Sequence, residues 1–264
     1  MKSTFNNPIG IFDSGVGGTS IWKEIHQLLP YENTIYLADS KNAPYGQKSK
    51  DEIINLSIKN TEYLLNKNCK LIVVACNTAT TNAISHLREK YNVPFIGIEP
   101  AIKPASLNTT TNNIGILATR GTLNSQLFAT TSNKLNNNIN IIEQVGEGLV
   151  ELIEKGELHH PKMTDLLKKH LAEFLKFNID YLVLGCTHYP YLIPQIQKII
   201  GTKIRIIDSG YAVAKQTKRV LEKNNLLNTT GTNGFIEFYS NANKTILTTL
   251  LSQYKKASVV YLDF

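Results

Sequence analysis

Short apolar runs rich in β-branched residues alternate along this chain with longer segments whose apolar residues have helical spacing. In the segment 49–67, for example, Ile53, Leu56, Tyr63 and Leu64 recur at roughly helical intervals. Such alternation is typical of βαβ units, in which helices cover both faces of a buried parallel sheet. The sequence therefore predicts an α/β fold with mainly parallel sheets. The predicted strands are residues 9–12, 35–38, 71–75, 95–98, 114–117, 139–142, 181–184, 204–207 and 234–239, with 258–262 as an edge strand.

Two segments of the chain echo each other. Residues 70–78 read KLIVVACNT and residues 180–188 read DYLVLGCTH, which places Cys76 and Cys186 at matching points. The tripeptide Asp-Ser-Gly likewise follows one predicted strand at 13–15 and another at 208–210. We interpret these echoes as two similar, Rossmann-like α/β domains.

The bulk properties exclude several classes of protein. The formal net charge is +7 and the pI is about 9.1, but the basic residues are scattered and do not interleave with aromatic ones, which argues against nucleic acid as a partner. The apolar runs are too short to cross a bilayer, and the residues before Pro8 form no apolar export segment. We therefore expect a cytoplasmic protein with no membrane partner. The three cysteines suggest neither a disulfide framework nor structural zinc.

Two of these cysteines directly follow predicted strands. Ligands of open parallel sheets bind beyond the carboxyl ends of the strands, and Cys76 and Cys186 occupy such positions. A helical pattern follows each thiol, so we expect a helix dipole to favour the thiolate. Either cysteine alone could be a small buried hydrophobic residue. Two cysteines in parallel contexts, each followed by polar residues (77–78 and 187–188), favour a functional pair.

A pair of equivalent thiols suits the inversion of a stereocentre next to a carboxylate. One group removes the α-proton from one face while the other returns a proton to the opposite face, and the roles exchange with direction. His188, two residues after Cys186, is expected to assist proton transfer or to tune the thiol. The alternative is a hydrogen-bonded structural histidine. Cys186 and His188 could also begin a metal site, but too few further Cys or His residues have suitable spacing.

The remaining thiol and three other histidines are expected to have no catalytic role. Cys69 precedes its strand, at the end opposite the chemistry. His159, His160 and His170 fall in polar, helical stretches and are predicted to lie on the surface. The sequence thus predicts neither a metal site nor a cofactor.

The glycine-rich loop 13–18 (DSGVGG) lies between the first predicted strand and a helix. Its glycines do not follow the G-x-G-x-x-G order of a dinucleotide site, and it lacks the G-K-[ST] ending of a P-loop. We expect its backbone N–H groups to hold a substrate carboxylate, helped by the helix that follows.

Four segments together identify a family. They are IGIFDSGVGG at 9–18, APYG at 43–46, ACNTA at 75–79 and GCTHYP at 185–190. In this order they resemble the glutamate racemases of bacterial cell-wall synthesis, members of the aspartate/glutamate racemase superfamily, and the resemblance runs from Ile9 to about Leu221. It implies a cofactor-independent enzyme, free of PLP and metal, that interconverts L- and D-glutamate and supplies D-glutamate for peptidoglycan.

The resemblance also implies two α/β domains with the active site between them. The expected limits are 1–99 for the first domain, 100–207 for the second, and 208–264 for a C-terminal segment that returns to the first.

By matching motif, the resemblance assigns roles to individual residues. Cys76 would act on the α-proton of D-glutamate and Cys186 on that of L-glutamate, with Asp13, His188 and Glu154 as further catalytic groups. Around Glu154 the chain departs from the family pattern: it reads Gly146-Glu147 where Cys-Pro is usual, and Glu151 where proline is usual. We therefore expect a changed pocket wall or entrance. The substrate contacts implied are Asp13, Ser14, Tyr45, Gly46, Asn77, Thr78, Thr187 and His188.

Two other functions stay open at this point. One is a racemase of aspartate or another small amino acid on the same two-thiol plan. The other is a binding or regulatory protein, such as a gyrase inhibitor, that retains the fold, although binding alone does not need matched bases. The expected partner is the small molecule glutamate, and a homodimer is an option for the assembly.

Overall fold

The computed structural model describes residues 4–135 and 138–264, which form two parallel β-sheets flanked by helices. The strands are β1 Ile9–Asp13, β2 Thr34–Ala38, β3 Leu71–Val74, β4 Phe95–Gly97, β5 Asn113–Ala118, β6 Asn140–Val145, β7 Tyr181–Gly185, β8 Arg205–Ile207, β9 Ile236–Ser240 and β10 Ser258–Tyr261. The first sheet has the order β10-β9-β2-β1-β3-β4 and the second has the order β6-β5-β7-β8. All neighbouring strands run parallel, which confirms the predicted fold class.

Helices follow most of the strands, as βαβ connections require. Three short 3₁₀ turns, at Ser40–Asn42, Tyr45–Gln47 and Tyr189–Leu192, supplement them. The ten predicted strands are all present, with ends that differ by a few residues. The helices are α1 Thr19–Leu28, α2 Lys50–Asn66, α3 Asn77–Lys90, α4 Ile102–Asn108, α5 Arg120–Leu123, α6 Gln126–Asn133, α7 Leu149–Glu154, α8 Pro161–Lys176, α9 Ile193–Ile200, α10 Gly210–Lys223 and α11 Thr245–Leu250.

Helix α2 shows how the local sequence sets these elements. Ser49 Oγ accepts a hydrogen bond from the Glu52 N–H, and Glu52 Oε2 accepts one from the Ser49 N–H, so the first turn is capped in both directions. Ile53 and Leu64 are buried on the face turned to the sheet. The helix predicted over 49–67 is therefore confirmed.

The first sheet is completed by the end of the chain. Strand β9 pairs with β2, and β10 forms the edge beyond it. Lys70 Nζ, which is buried, lies 2.5 Å from Glu32 Oε2 and also donates to the Leu226 carbonyl oxygen at 2.8 Å. The hydrogen bond to Leu226 connects the chain after α10 to the first sheet. The domain limits at 99/100 and 207/208 stay predictions. No helix within the described residues is long and apolar enough to span a membrane.

Candidate active site

The carboxyl ends of strands from both sheets meet at one buried cavity. Cys76 follows β3 of the first sheet, Cys186 follows β7 of the second, and both line this cavity. Their exposed fractions are 4% and 7%. Cys69 is also buried, but it packs beside Gly10 near the amino ends of β1 and β3. The structure therefore brings together the two predicted thiols and leaves the third apart.

Cys76 caps helix α3. Its Sγ accepts a hydrogen bond from the Ala79 N–H at 3.4 Å and donates to Ser14 Oγ at 3.6 Å. Burial, and next the Asp13 carboxylate, raise the pKa of Cys76 above its usual value, and the helix N–H offsets only part of this. The helix N–H thus lowers the pKa of Cys76, as expected, but burial and the Asp13 carboxylate outweigh it and favour the neutral thiol.

Cys186 has an imidazole partner instead. His188 Nδ1 lies 3.7 Å from Cys186 Sγ, and His188 Nε2 lies 2.5 Å from Glu154 Oε1. Burial lowers the pKa of His188, but hydrogen bonds and charge interactions with Cys186 and Glu154 outweigh burial and raise the pKa well above its usual value. Protonated on both nitrogens, His188 can donate to the Glu154 carboxylate and to a Cys186 thiolate. The two thiols therefore differ in their electrostatic surroundings.

Glu154 reaches the site despite the changed sequence around it. It ends helix α7, and its Oε1 also accepts from the Val16 N–H at 2.7 Å. Its Oε2 accepts from the Ser40 hydroxyl at 2.8 Å. Ser40 lies just after β2, at a strand end where reactive side chains are expected, but the family resemblance assigned it no role.

The glycine-rich loop holds the protein's own side chains. The Gly15 N–H binds Asp13, the Val16 N–H binds Glu154, and the Gly17 N–H lies 3.2 Å from His188 Nε2. A Cβ atom at Gly15 would lie 1.9 Å from Glu154 Oε1, and one at Gly17 would lie 2.2 Å from His188 Nδ1, so only glycine permits this approach. The expectation that these N–H groups hold a substrate carboxylate is wrong for Gly15 and Val16, because protein carboxylates already accept from both.

Asp13 is fully buried at the end of β1. Its Oδ1 accepts from the Gly15 N–H at 2.9 Å, and its Oδ2 accepts from the Thr187 hydroxyl at 3.0 Å. Burial raises the pKa of Asp13 from 3.8 to about 6, while His188 opposes this rise and Glu154 adds to it. Thr187 thus joins the loop after β7 to the first sheet through this carboxylate.

The 3₁₀ turn Tyr45–Gln47 forms another wall of the cavity, to which Tyr45 and Gly46 contribute. The Tyr45 hydroxyl donates to the carboxylate of Asp39 and accepts from Asn60 Nδ2 at 3.1 Å. The hydroxyl proton of Tyr45 is therefore committed to Asp39, a buried residue directly after β2 to which the family resemblance assigned no role.

Asn77 and Thr78 begin helix α3 directly after Cys76 and line the cavity. The Thr78 hydroxyl lies 2.7 Å from that of Thr119, at the start of α5. Within the described part of the chain, Asn77 Nδ2 and Oδ1 have no hydrogen-bond partner, although the residue is only 3% exposed. An unpaired buried amide costs about 1–3 kcal/mol, so a ligand that bonds to it recovers this free energy. Asn77 is therefore a polar side chain of the cavity that is available to a substrate.

Comparison with known proteins agrees with this geometry. Residues 9–217 match the model of the Asp/Glu/Hydantoin racemase family. The chain belongs to this family.

Individual members of the racemase family match almost the whole chain. A glutamate racemase from Herpetosiphon aurantiacus is 44% identical over 233 residues, which is 88% of this chain and 92% of the relative. The crystal structure of a glutamate racemase isoform from Bacillus anthracis has a TM-score of 0.87 at 30% identity and covers 98% of both chains. Escherichia coli glutamate racemase, solved with L-glutamate and the activator UDP-MurNAc-Ala, has a TM-score of 0.86 at 33% identity, covering 97% of this chain and 98% of the other. The resemblance drawn from the four sequence segments is confirmed.

A larger cavity of about 500 Å³ adjoins the one between the thiols. Gly146, Glu147 and Glu151, where a changed pocket wall or entrance was expected, all line this outer cavity. Gln47 Nε2 donates to Glu151 Oε1 at 2.6 Å, and Arg120 forms an ion pair with Glu147. The changed residues therefore shape the entrance, and Glu151 links helix α7 to the 3₁₀ turn that carries Tyr45.

The inner cavity is closed in this conformation. Its volume is about 10 Å³, which is room for about one water molecule. Substrate entry to a racemase site of this kind requires its walls to separate. The residues that line both cavities, and so form the passage, are Pro44, Gly46, Thr119 and Val150.

The prediction that His170 lies on the surface is wrong. Its exposed fraction is 4%, because it lies on the inner face of α8 with Leu167 and Phe174. His170 Nδ1 lies 3.3 Å from Gln144 Nε2, and Nε2 lies 2.9 Å from the Glu147 carbonyl oxygen. With Nδ1 accepting from Gln144 and Nε2 donating to the Glu147 carbonyl oxygen, the ring holds the loop that carries Glu147 at the outer cavity. His159 and His160 are exposed, as predicted.

Proposed function

We propose that this protein is a glutamate racemase that interconverts L- and D-glutamate by proton transfer between two thiols. The observation that carries the proposal is the single buried cavity lined by Cys76 from one sheet and Cys186 from the other. A racemase needs two acid/base groups of one kind, whereas a binding protein does not. The near full-length match to relatives named glutamate racemase supports glutamate as the substrate.

In the L-to-D direction, following the family assignment of the thiols, the Cys186 thiolate takes the α-proton of L-glutamate. The electron pair of the broken C–H bond stays on the substrate, which becomes planar, and the Cys76 thiol donates its proton to the opposite face. The products are D-glutamate, a Cys186 thiol and a Cys76 thiolate, and the reverse direction exchanges the roles. His188 Nδ1, 3.7 Å from Cys186 Sγ, is placed to stabilise the negative charge on Cys186 when that group acts as the base, while burial favours the protonated form of Cys76. The thiols supply both base and acid, and the proposal includes no cofactor.

The proposed substrate contacts surround this pair. The Asn77 amide, which has no hydrogen-bond partner among the described residues, is assigned to bind a polar group of glutamate. Donors held in a site that excludes water stabilise the charge that develops on the carboxylate as the α-proton leaves. The other residues proposed to contact substrate are Asp13, Ser14, Tyr45, Gly46, Thr78, Thr187 and His188.

The direct test follows each glutamate enantiomer with the protein in deuterated buffer. Circular dichroism should decay to zero from either side, and mass spectrometry should show one deuterium at Cα of the product. A folded protein that changes the ellipticity of neither enantiomer would refute the proposal.

We expect glutamate to be preferred over aspartate. Aspartate is one methylene shorter, so a site shaped for glutamate leaves the donors of the distal carboxylate unpaired, at about 1–3 kcal/mol or roughly ten- to a hundredfold in kcat/KM. Misplacement of Cα between the thiols adds to this loss. Measuring kcat/KM for both amino acids in both directions decides the question. An aspartate value equal to that of glutamate would instead support the aspartate alternative.

Replacing Glu154 by glutamine should lower kcat about a hundredfold in both directions. The neutral amide no longer supports a charged His188, so the Cys186 thiolate loses its cation. Glu151→Gln is the matched control, since Glu151 lies one turn earlier on α7 and contacts Gln47 rather than His188. Equal effects of the two variants on kcat would show that the His188 contact has no special role.

We further propose a cytoplasmic enzyme that supplies D-glutamate for peptidoglycan synthesis. The resemblance to the cell-wall enzymes supports this place in metabolism. A homodimer and the absence of a nucleic-acid partner stay predictions.

A further inference from the structure

Tyr45, which forms one wall of the cavity, is held by a hydrogen bond from its hydroxyl to the buried carboxylate of Asp39. Asp39 is 2% exposed and carries no basic partner; its oxygens accept hydrogen bonds only from neutral groups among the described residues. The Tyr45 hydroxyl bonds to Oδ2, while Asn42 Nδ2 and Asn241 Nδ2 donate to Oδ1 at 2.7 and 2.5 Å. A buried carboxylate is tolerable only when donors of this kind are held in place.

Asn241 comes from a distant part of the chain. It follows the last residue of β9, lies outside the family match of 9–217, and is 3% exposed. Besides its bond to Asp39, its Oδ1 accepts from the Lys41 N–H at 3.0 Å, and its own N–H donates to the Ala38 carbonyl oxygen at 3.4 Å. One side chain therefore holds both Asp39 and the backbone of the 3₁₀ turn that follows.

We infer that Asn241 is a positioning residue for the active site: through Asp39 and Lys41 it fixes segment 39–47, and with it the wall made by Tyr45 and Gly46. The kinetic consequence rests on the proposed function. Loss of the Asn241 amide leaves Asp39 with one donor fewer and the Lys41 N–H unpaired. The segment can then relax away from the cavity, and a shift of about 1 Å in a wall that orients a substrate can cost about a hundredfold in activity.

The test uses the full-length protein with Asn241→Ala and the milder Asn241→Ser, neither of which reaches Asp39. Asn228 offers a matched control in the same C-terminal region. It is also buried, and its side chain also makes two hydrogen bonds, from Nδ2 to the Tyr31 carbonyl oxygen and from the Thr230 N–H to Oδ1. Asn228→Ala and Asn228→Ser therefore report the general cost of losing a buried asparagine.

Two readouts are compared among variants that still melt cooperatively. Hydrogen–deuterium exchange of peptides covering 39–47 should speed up about tenfold or more in the Asn241 variants and stay unchanged in the Asn228 variants. KM for both glutamate enantiomers should rise about tenfold, with a smaller fall in kcat, because the thiols, His188 and Glu154 are untouched. In the Asn228 variants KM should equal that of the wild type.

The outcomes separate this inference from the proposed function. Unchanged exchange of 39–47 in a folded Asn241 variant overturns the positioning role, whatever the substrate. An Asn241 variant with faster exchange but unchanged KM overturns the link from this segment to the active site. A wild-type protein that does not racemise glutamate refutes the proposed function alone, and the exchange measurement still decides whether Asn241 holds the segment.

Discussion

Replacing either Cys76 or Cys186 by alanine is expected to lower racemisation at least about a thousandfold, because each thiol is the base in one direction and the acid in the other. Neither can substitute for its partner, since they enter the cavity from different sheets. Any residual exchange of the α-proton for deuterium should also be confined to one enantiomer of glutamate in each variant. Cys186→Ala retains only the thiol assigned to D-glutamate, so any α-deuterium uptake should come from that enantiomer, and Cys76→Ala should show the converse.

Cys69→Ala is the control for this experiment. Cys69 is as buried as Cys76, but it lies at the opposite end of the first sheet, so its loss removes packing without touching the cavity. Racemisation by Cys69→Ala should stay within a few-fold of the wild type. Near-normal activity in either of the other two variants would be incompatible with the two-thiol mechanism.

The Asp13→Asn variant should lose activity while gaining stability. The pKa of Asp13 is raised from 3.8 to about 6, chiefly by burial, so at neutral pH the folded state carries a carboxylate in an unfavourable place. A shift of roughly two units corresponds to about 3 kcal/mol. Asp13 has a higher pKa in the folded than in the unfolded state. Its protonated form therefore adds about 3 kcal/mol to the free energy of unfolding below about pH 4, and this contribution is lost as the pH rises through about 6. Asparagine at position 13 cannot ionise, so the Asp13→Asn variant keeps this stability at high pH.

Denaturant unfolding at two pH values tests the stability half of this prediction. At pH 8 the free energy of unfolding of Asp13→Asn should exceed that of the wild type by about 3 kcal/mol, and below pH 4 the difference should vanish. The activity half has its own signature. Wild-type kcat should fall below about pH 6 as Asp13 becomes protonated, and this fall should be missing from whatever activity the variant retains. A variant that is less stable than the wild type at pH 8 would contradict the assignment of Asp13 as a strained, functional carboxylate.

The positions of the two thiols could be predicted from the sequence because they depend on local patterns. A cysteine directly after a β-branched run lies at a strand end whatever the rest of the chain does, and parallel sheets place ligands there. The protonation state of Cys76 could not be predicted in the same way. It depends on the burial and the Asp13 carboxylate that the folded chain places beside it, and these outweigh the helix N–H that the local sequence promised.

The contacts of Glu154 and Asn241 could not be predicted from local sequence patterns either, because their partners are distant in the chain. Glu154 meets Val16 and Ser40 across the boundary between the two sheets, and Asn241 meets Asp39 across some two hundred residues of sequence. Nothing near either residue in the chain indicates such a partner. For His170 the local sequence was misleading. Its polar neighbours in the sequence suggested exposure, but its position on α8 faces inward.

In the first sheet, the late strands β9 and β10 lie beside the early strand β2, and this order affects how the protein folds during its synthesis on the ribosome. Strand β2 is an outer strand until β9, near the end of the chain, arrives to pair with it. At about 5–20 residues per second, β2 waits on the order of 10–40 s, with its backbone edge unpaired. All four strands of the second sheet are synthesised within that interval. The nascent chain therefore passes through a stage in which the later-made sheet is complete before the earlier one, and β2 is the segment that a chaperone or another nascent chain would meet.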